Sequence, residues 1–243
     1  MFRRLFLSLF LVSFVSSTLT AREGEDAARA APRNKEYGWM SIATWKSMHE
    51  KHLKRTAEGK VDLLFLGDSI TQGWGENAVW KKFYTPRNAA NYGIGGDTTQ
   101  NVLYRINNGV LDGISPKAVV LLIGTNNFGL EGDKPEDVAR GVQAIVKTLR
   151  EKLPQSKILV LGVLPRDVKP DTPFRQKIKT LNEQIAKLDD GQNVRYLYFG
   201  EKYLDADGTL PRELMPDALH LSEKGYTVWA EAMEPLLKQL LGE

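Results

Sequence analysis

The sequence predicts a doubly wound α/β domain, three layers deep, with a central parallel sheet of about five strands between two layers of helix. Two observations lead there. Short, nearly continuous apolar runs recur along the chain, and four of them end in glycine; such runs suit strands covered on both faces, as in a parallel sheet. Between them lie longer segments whose apolar residues recur at steps of three and four, the spacing of one helix face, and this regular alternation of strand and helix is the signature of a wound α/β layer.

The chain begins with Arg3 and Arg4, an apolar run from Leu5 to Val15, and then Ser16, Ser17 and Thr18. That order of basic, apolar and small residues reads as a signal peptide over residues 1–21, too short for a membrane span, and it places the mature protein outside the cytoplasm, secreted or periplasmic. Residues 22–36 are polar and rich in alanine and are expected to form a flexible lead-in; the folded domain is expected over residues 37–243. Residues 38–56, with Trp39, Met40, Trp45 and Met48, suit an amphipathic helix packed on the sheet.

The strands are expected at Val61–Leu66, more weakly at Arg87–Tyr92, and then at Ala118–Ile123, Ile158–Leu161 and Val194–Phe199. Val138, Val142, Ile145 and Leu149 form one helical stripe, with Pro135 in its first turn and Asp133 and Glu136 spaced as a capping box. Phe174, Ile178, Leu181, Ile185 and Leu188 form a second stripe. Tyr226, Trp229, Met233, Leu237 and Leu240 form a third, capped by Ser222.

Composition narrows the chemistry. The chain of 243 residues has no cysteine, which excludes disulfides, thiolate metal sites and cysteine nucleophiles. Its 33 basic and 30 acidic residues give a net charge of +3, and the two arginines of the leader supply most of that excess. A nearly neutral mature chain gives no electrostatic case for nucleic acid. The loop Gly93-Ile94-Gly95-Gly96-Asp97-Thr98 fails the dinucleotide fingerprint, because Thr98 stands where its last glycine is required. No metal or organic cofactor is implied.

In a doubly wound sheet ligands gather beyond the carboxyl ends of the strands. The first strand runs into Gly67-Asp68-Ser69, a tight strand-to-helix turn that presents a hydroxyl and a backbone N–H to the same space. A serine nucleophile needs a base, and only His49, His52 and His220 are available. His49 and His52 lie in a charged stretch that reads as a solvated helix face. His220 follows Asp217 by three residues just before the last helix, and in a turn that spacing can bring a carboxylate to Nδ1 while Nε2 stays free for the serine. Gly95 and Gly96 end the second strand and Asn126 follows the third, supplying backbone and amide N–H donors at neighbouring strand ends.

Gly67-Asp68-Ser69-Ile70, Gly96-Asp97, Gly124-Thr125-Asn126 and Asp217-x-x-His220, in that order, resemble the four blocks of the SGNH (GDSL-type) hydrolase superfamily. Gly93-Ile94-Gly95-Gly96-Asp97-Thr98, Gly124-Thr125-Asn126-Asn127 and His220-Leu221-Ser222-x-x-Gly225-Tyr226 are similar to forms found in its platelet-activating-factor acetylhydrolase catalytic-subunit branch. Two positions depart from the wider pattern: Ile70 replaces leucine, and Asn127 replaces an aspartate, as in that branch. The resemblance implies a flavodoxin-like sandwich, Ser69 as nucleophile, His220 as base and acid, and Asp217 as its orienting carboxylate. It implies an oxyanion hole made of the Ser69 and Gly96 N–H groups and the Asn126 amide. The branch contains dimers, so a homodimer is among the assemblies implied.

The loops over the strand ends, roughly 125–134, 164–174 and 200–216, are short and polar, with no apolar insertion to form a lid or acyl tunnel. The expected reaction is therefore hydrolysis of a short acyl ester, most simply acetyl, on a carbohydrate or polysaccharide alcohol. A phospholipid-directed acetylhydrolase or lysophospholipase is the alternative enzyme. A non-catalytic carbohydrate-binding protein, with exposed Trp74 or Trp80 stacking on sugar, is the alternative of another class.

Overall fold

A computed structural model describes residues 25–243; the leader expected over residues 1–21 lies outside the described residues. Five strands form one sheet: β1 (Leu63–Gly67), β2 (Ala89–Gly93), β3 (Ala118–Leu122), β4 (Lys157–Leu161) and β5 (Val194–Leu197). Their order is β2-β1-β3-β4-β5 and every pairing is parallel. The chain winds outward in one direction from β1 to β2 and in the other from β3 onward, so the topological switch falls between β1 and β3, where a crevice opens at the carboxyl ends.

Burial follows position in the sheet. All five residues of β1 and of β3 are buried. The edge strand β2 carries Ala89 and Asn91 half-exposed, which explains its weak apolar signal, and at the other edge only Val194 of β5 is buried. Alternate side chains point to opposite faces. Leu64, Leu66, Val119, Leu121, Ile158 and Val160 enter one core, while Leu63, Phe65, Val120, Leu122, Leu159 and Leu161 enter the other.

Among the described residues seven α-helices surround the sheet: α1 (Ile42–Ala57), α2 (Ser69–Gln72), α3 (Ala78–Phe83), α4 (Thr99–Asn107), α5 (Pro135–Lys152), α6 (Pro173–Ile185) and α7 (Glu223–Leu241). The predicted stripes of α5, α6 and α7 turn inward, with Phe174, Leu188 and Leu240 only half-buried, and α4 adds a buried face that was not predicted. Val102 and Ile106 of α4, Val138 to Leu149 of α5 and Ile178 to Ile185 of α6 fill the first core. Val79 and Trp80 of α3 and Tyr226 to Leu237 of α7 fill the second. Ser222 caps α7, its Oγ accepting from Gly225 N at 3.1 Å.

The second core is aromatic. The Phe65 ring has the rings of Trp74, Trp80, Tyr84 and Trp229 around it at centroid distances of 6.3, 5.1, 4.8 and 6.4 Å. Trp74 and Trp80 are 0% and 4% exposed, so neither can stack on a sugar from solvent, and the basis for a carbohydrate-binding module built on them is removed.

Three other local expectations are corrected. No capping box joins Asp133 and Glu136: Lys134 is the N-cap of α5, and the Asp133 carboxylate instead accepts from Asn127 Nδ2 at 2.9 Å. The first helix starts at Ile42, capped by Ser41, and leaves Trp39 and Met40 in an irregular segment before it. The lead-in is docked from Glu25 onward. Ala27, within the 3₁₀ turn Glu25–Ala28, is buried, Ala31 N donates to Gln100 O at 3.1 Å, and Thr99 Oγ1 and Asn101 Nδ2 donate to the carbonyls of Ala27 and Ala31 at 2.7 and 3.1 Å. Backbone groups paired in this way hold a polar segment that its composition alone would leave free.

Candidate active site

The nucleophile turn is packed too tightly for most side chains. Gly67 ends β1, and a β-carbon there would lie 2.1 Å from Thr71 Oγ1 and 2.4 Å from Leu122 O. Asp68 caps the single turn α2, its Oδ1 accepting from Ile70 N at 2.9 Å, and its burial pushes the carboxyl up to about 7. From α7, Tyr226 Oη donates to Ile70 O at 2.8 Å, tying the turn to the helix that follows His220. Ser69 opens this turn at the carboxyl end of β1.

Opposite stands the C-terminal loop. His220 Nε2 lies 2.9 Å from Ser69 Oγ, and His220 Nδ1 lies 2.6 Å from Asp217 Oδ2. The other Asp217 oxygen accepts from the backbone N–H groups of Leu219 and His220 at 3.0 and 2.7 Å. Burial pushes the Asp217 carboxyl up, but the hydrogen bonds from His220 and Leu219 outweigh it and hold the group below its ordinary value. Ala218, between them, adopts a left-handed φ of 60°, which closes the turn, and its carbonyl accepts from Asp167 N at 3.0 Å. An imidazole so held has one nitrogen committed to a carboxylate and the other aimed at a hydroxyl, the arrangement that removes a proton from an attacking serine.

The third part is the loop after β2. Gly96 has a φ of 74°, and a β-carbon there would meet Trp39 and Arg33, so glycine is required on both counts. Gly95 N donates to Gln72 Oε1 at 2.6 Å. Asn126, after β3, donates one amide hydrogen to Asp97 O at 3.0 Å and keeps the second. Ser69, Gly96, Asn126 and His220 line a single cavity of about 530 Å³, whose other walls include Trp39, Met40, Leu130, Arg166 and Leu219. Donors converging on that space can hold a developing oxyanion.

No sequence pattern signals what braces this loop. Asp97, 0% exposed, receives Arg105 Nε at 2.8 Å and Trp45 Nε1 at 2.6 Å, with Arg33 Nη2 at 3.6 Å. Arg105 also donates to Tyr92 O and Gly67 O at 2.9 and 3.3 Å, joining the ends of β1 and β2, and Arg33 donates to Gly95 O at 2.9 Å. The buried Asn127 stitches α4 to the loop after β3: its Oδ1 accepts from Thr99 N at 3.0 Å while its Nδ2 reaches Asp133.

His49 is buried and His52 half-buried, so the expected solvated face is not found. His49 is 8% exposed and stacks on Trp45 at 5.8 Å; His52 stacks on Tyr92 at 4.6 Å, and burial pushes it down to about 3. Both serve packing, so the base candidate remains His220. Among the described residues no group of three or more His, Asp or Glu is placed to hold a metal, and no helix is long and apolar enough to cross a membrane.

The family model for the GDSL-like lipase/acylhydrolase family matches residues 65–228, which run from β1 through His220 into α7. The chain belongs to this family. As a GDSL acylhydrolase it is a carboxylic ester hydrolase. The platelet-activating factor acetylhydrolase IB subunit alpha1 of Bos taurus is 38% identical over 198 residues, covering 81% of this chain and 84% of that protein. Among solved structures, a GDSL-like lipase from Bacteroides thetaiotaomicron superposes with a TM-score of 0.65 at 19% identity, covering 81% of this chain and 98% of that one. An acetylxylan esterase from Geobacillus stearothermophilus does so with a TM-score of 0.58 at 18% identity, covering 74% and 94%. These structural likenesses bear on the fold of the GDSL acylhydrolase.

Proposed function

We propose that the chain is an exported serine esterase that removes short acyl groups, most simply acetyl, from a carbohydrate or polysaccharide alcohol. The observation that carries the catalytic part is the continuous pair of contacts from Asp217 through His220 to Ser69, 2.6 and 2.9 Å long. Ser69 Oγ attacks the ester carbonyl as its proton passes to His220 Nε2, with Asp217 holding the ring and stabilising the imidazolium. The carbonyl oxygen, now negative, takes hydrogen bonds from the Ser69 and Gly96 N–H groups and from the free Asn126 amide hydrogen. The C–O bond to the alcohol then breaks, and His220 returns the proton to the leaving oxygen. Water, deprotonated by His220, attacks the acyl-enzyme, the bond to Ser69 Oγ breaks, and His220 returns the proton to Ser69 as the acid leaves.

The short-acyl part is supported by the cavity. Its volume of about 530 Å³ is shared by the acyl group and the proximal part of the alcohol, and Gln72, Asn126, Arg166 and His220 interrupt its apolar wall. Export is supported by the basic, apolar and small-residue order of residues 1–21. A carbohydrate alcohol is supported by the absence of a long apolar insertion over the strand ends, and acetylxylan esterases stand among the proteins that share the fold.

A phospholipid-directed acetylhydrolase is the second reading, favoured by the 38% identity to platelet-activating factor acetylhydrolase subunits. Initial rates on p-nitrophenyl acetate and octanoate, and on acetylated xylan and a 2-acetyl phospholipid, test both parts. The proposal expects the acetate and the acetylated xylan to be the better substrate of each pair. Faster turnover of the octanoate contradicts the short-acyl site, and preference for the phospholipid contradicts the carbohydrate alcohol.

A further inference from the structure

Four of the five tryptophans, Trp45, Trp74, Trp80 and Trp229, are 0–4% exposed. Trp39 is 58% exposed and is the one large exposed hydrophobic side chain among the described residues. It is nonetheless held in place. The Tyr37 ring lies parallel to it at 5.0 Å and 9°, and the Arg33 guanidinium packs against both rings at 5.4 and 6.0 Å. Arg33 in turn is fixed by Gly95 O and Asp97, so the indole is anchored to the oxyanion loop itself. Its outer edge presses on Gly96: a β-carbon added there would lie 2.4 Å from Trp39 Cη2.

Trp39 and Arg166 line the same cavity as Ser69 and His220. Among the described residues no carboxylate hydrogen-bonds Arg166, and Asp167, Asp68 and Asp217 act on its charge only from a distance. Its Nε is buried without a hydrogen bond, its Nη1 reaches only Thr125 Oγ1 at 3.4 Å, and its guanidinium stacks on Phe174 at 4.2 Å. Gln72, with Oε1 given to Gly95 N, keeps its amide hydrogens. One cavity therefore offers a rigid aromatic face together with planar donors that the protein leaves uncommitted. A pyranose or pyranoside ring has the matching chemistry: an apolar face of C–H bonds that packs on an aromatic ring, and equatorial hydroxyls that accept from side-chain N–H groups at its rim.

We propose that Trp39, contributed by the segment ahead of α1, is the stacking platform for the sugar ring that carries the scissile ester, with Arg166 and Gln72 donating to that sugar's hydroxyls. This rests on the carbohydrate reading above and adds to it the subsite and the residue that sets specificity. An indole already immobilised by Tyr37 and Arg33 loses little freedom when substrate binds, so its contact appears as affinity.

The test compares wild type, Trp39→Ala and Trp39→Phe on an acetylated xylo-oligosaccharide, on p-nitrophenyl acetate, which carries no sugar, and on a 2-acetyl phospholipid. In Trp39→Ala the ratio of kcat/KM for the oligosaccharide to that for p-nitrophenyl acetate falls roughly 10-fold, carried by a higher KM for the oligosaccharide, and Trp39→Phe recovers most of it. An equal loss on both substrates marks Trp39 as a brace for Gly96 and overturns the proposal. So does an unchanged ratio in a variant that still cleaves the oligosaccharide, and that result leaves the carbohydrate reading intact. Wild-type enzyme that hydrolyses p-nitrophenyl acetate or the phospholipid but no acetylated saccharide overturns the carbohydrate reading and the platform together.

Discussion

Asn126 shows how a single side chain can serve two tasks. One amide hydrogen, given to Asp97 O at 3.0 Å, fixes the orientation of the group, and in the proposed mechanism the other serves the substrate. A donor held this way needs no reorganisation when charge develops, which makes it worth more in the transition state than in the ground state. Asn126→Ala is therefore expected to lower kcat on p-nitrophenyl acetate by about 10²–10³-fold with little change in KM; steady-state kinetics check this, and a kcat within about threefold of wild type would remove Asn126 from the oxyanion role. Ser69, Asp217 and His220 were legible because their signals are local. Asp217 and His220 sit three residues apart in one turn, and Ser69 follows the strand directly. His49 and His52 misread for the opposite reason: their charged neighbours in sequence say nothing of Tyr104 and Tyr92, which pack on them from α4 and β2.

Among the elements, the loop between β2 and α4 carries the greatest electrostatic load. Asp97 accepts from Arg105 of α4 and Trp45 of α1 and faces the guanidinium of Arg33, from the segment before α1, at 3.6 Å. Removing its charge leaves Arg105, itself 0% exposed, without its counter-ion. Breaking such a buried pair costs about 3–5 kcal/mol. Asp97→Asn should thus lower Tm by roughly 6–20 °C in a chain of this size; a melting point within about 1 °C of wild type would show that the pair contributes nothing net. None of this network was readable in advance, because its members are separated by up to 72 positions (33 to 105) and follow no period. The helix stripes were readable because burial at steps of three and four is written into each segment by itself. Where a polar residue had two partners to choose from, as Asp133 did, proximity in space to Asn127 prevailed over the spacing to Glu136.

For the whole molecule, the winding of the sheet explains why distant residues meet. With β1 and β3 adjacent and their crossovers running in opposite directions, the turn carrying Ser69 and the loop carrying Asn126 face one crevice. The helix α7, packed through Tyr226 and Trp229 on the far face, delivers His220 to the same place. The docked segment from Glu25 to Met40 then walls the cavity with Trp39 and Met40; composition assigns its residues up to 36 to a flexible lead-in, and Trp39 and Met40 to a helix packed on the sheet. Without cysteine, the chain depends on these two apolar cores and the buried polar braces to hold the constellation in register. The proposed mechanism requires that this constellation make Ser69 an activated nucleophile. Labelling of the folded protein with a fluorophosphonate, followed by peptide mass spectrometry, decides whether it does. One adduct is expected, on Ser69, lost in Ser69→Ala and strongly slowed in His220→Ala; a well-folded wild-type protein that takes no label, or takes it at another serine, rules the mechanism out.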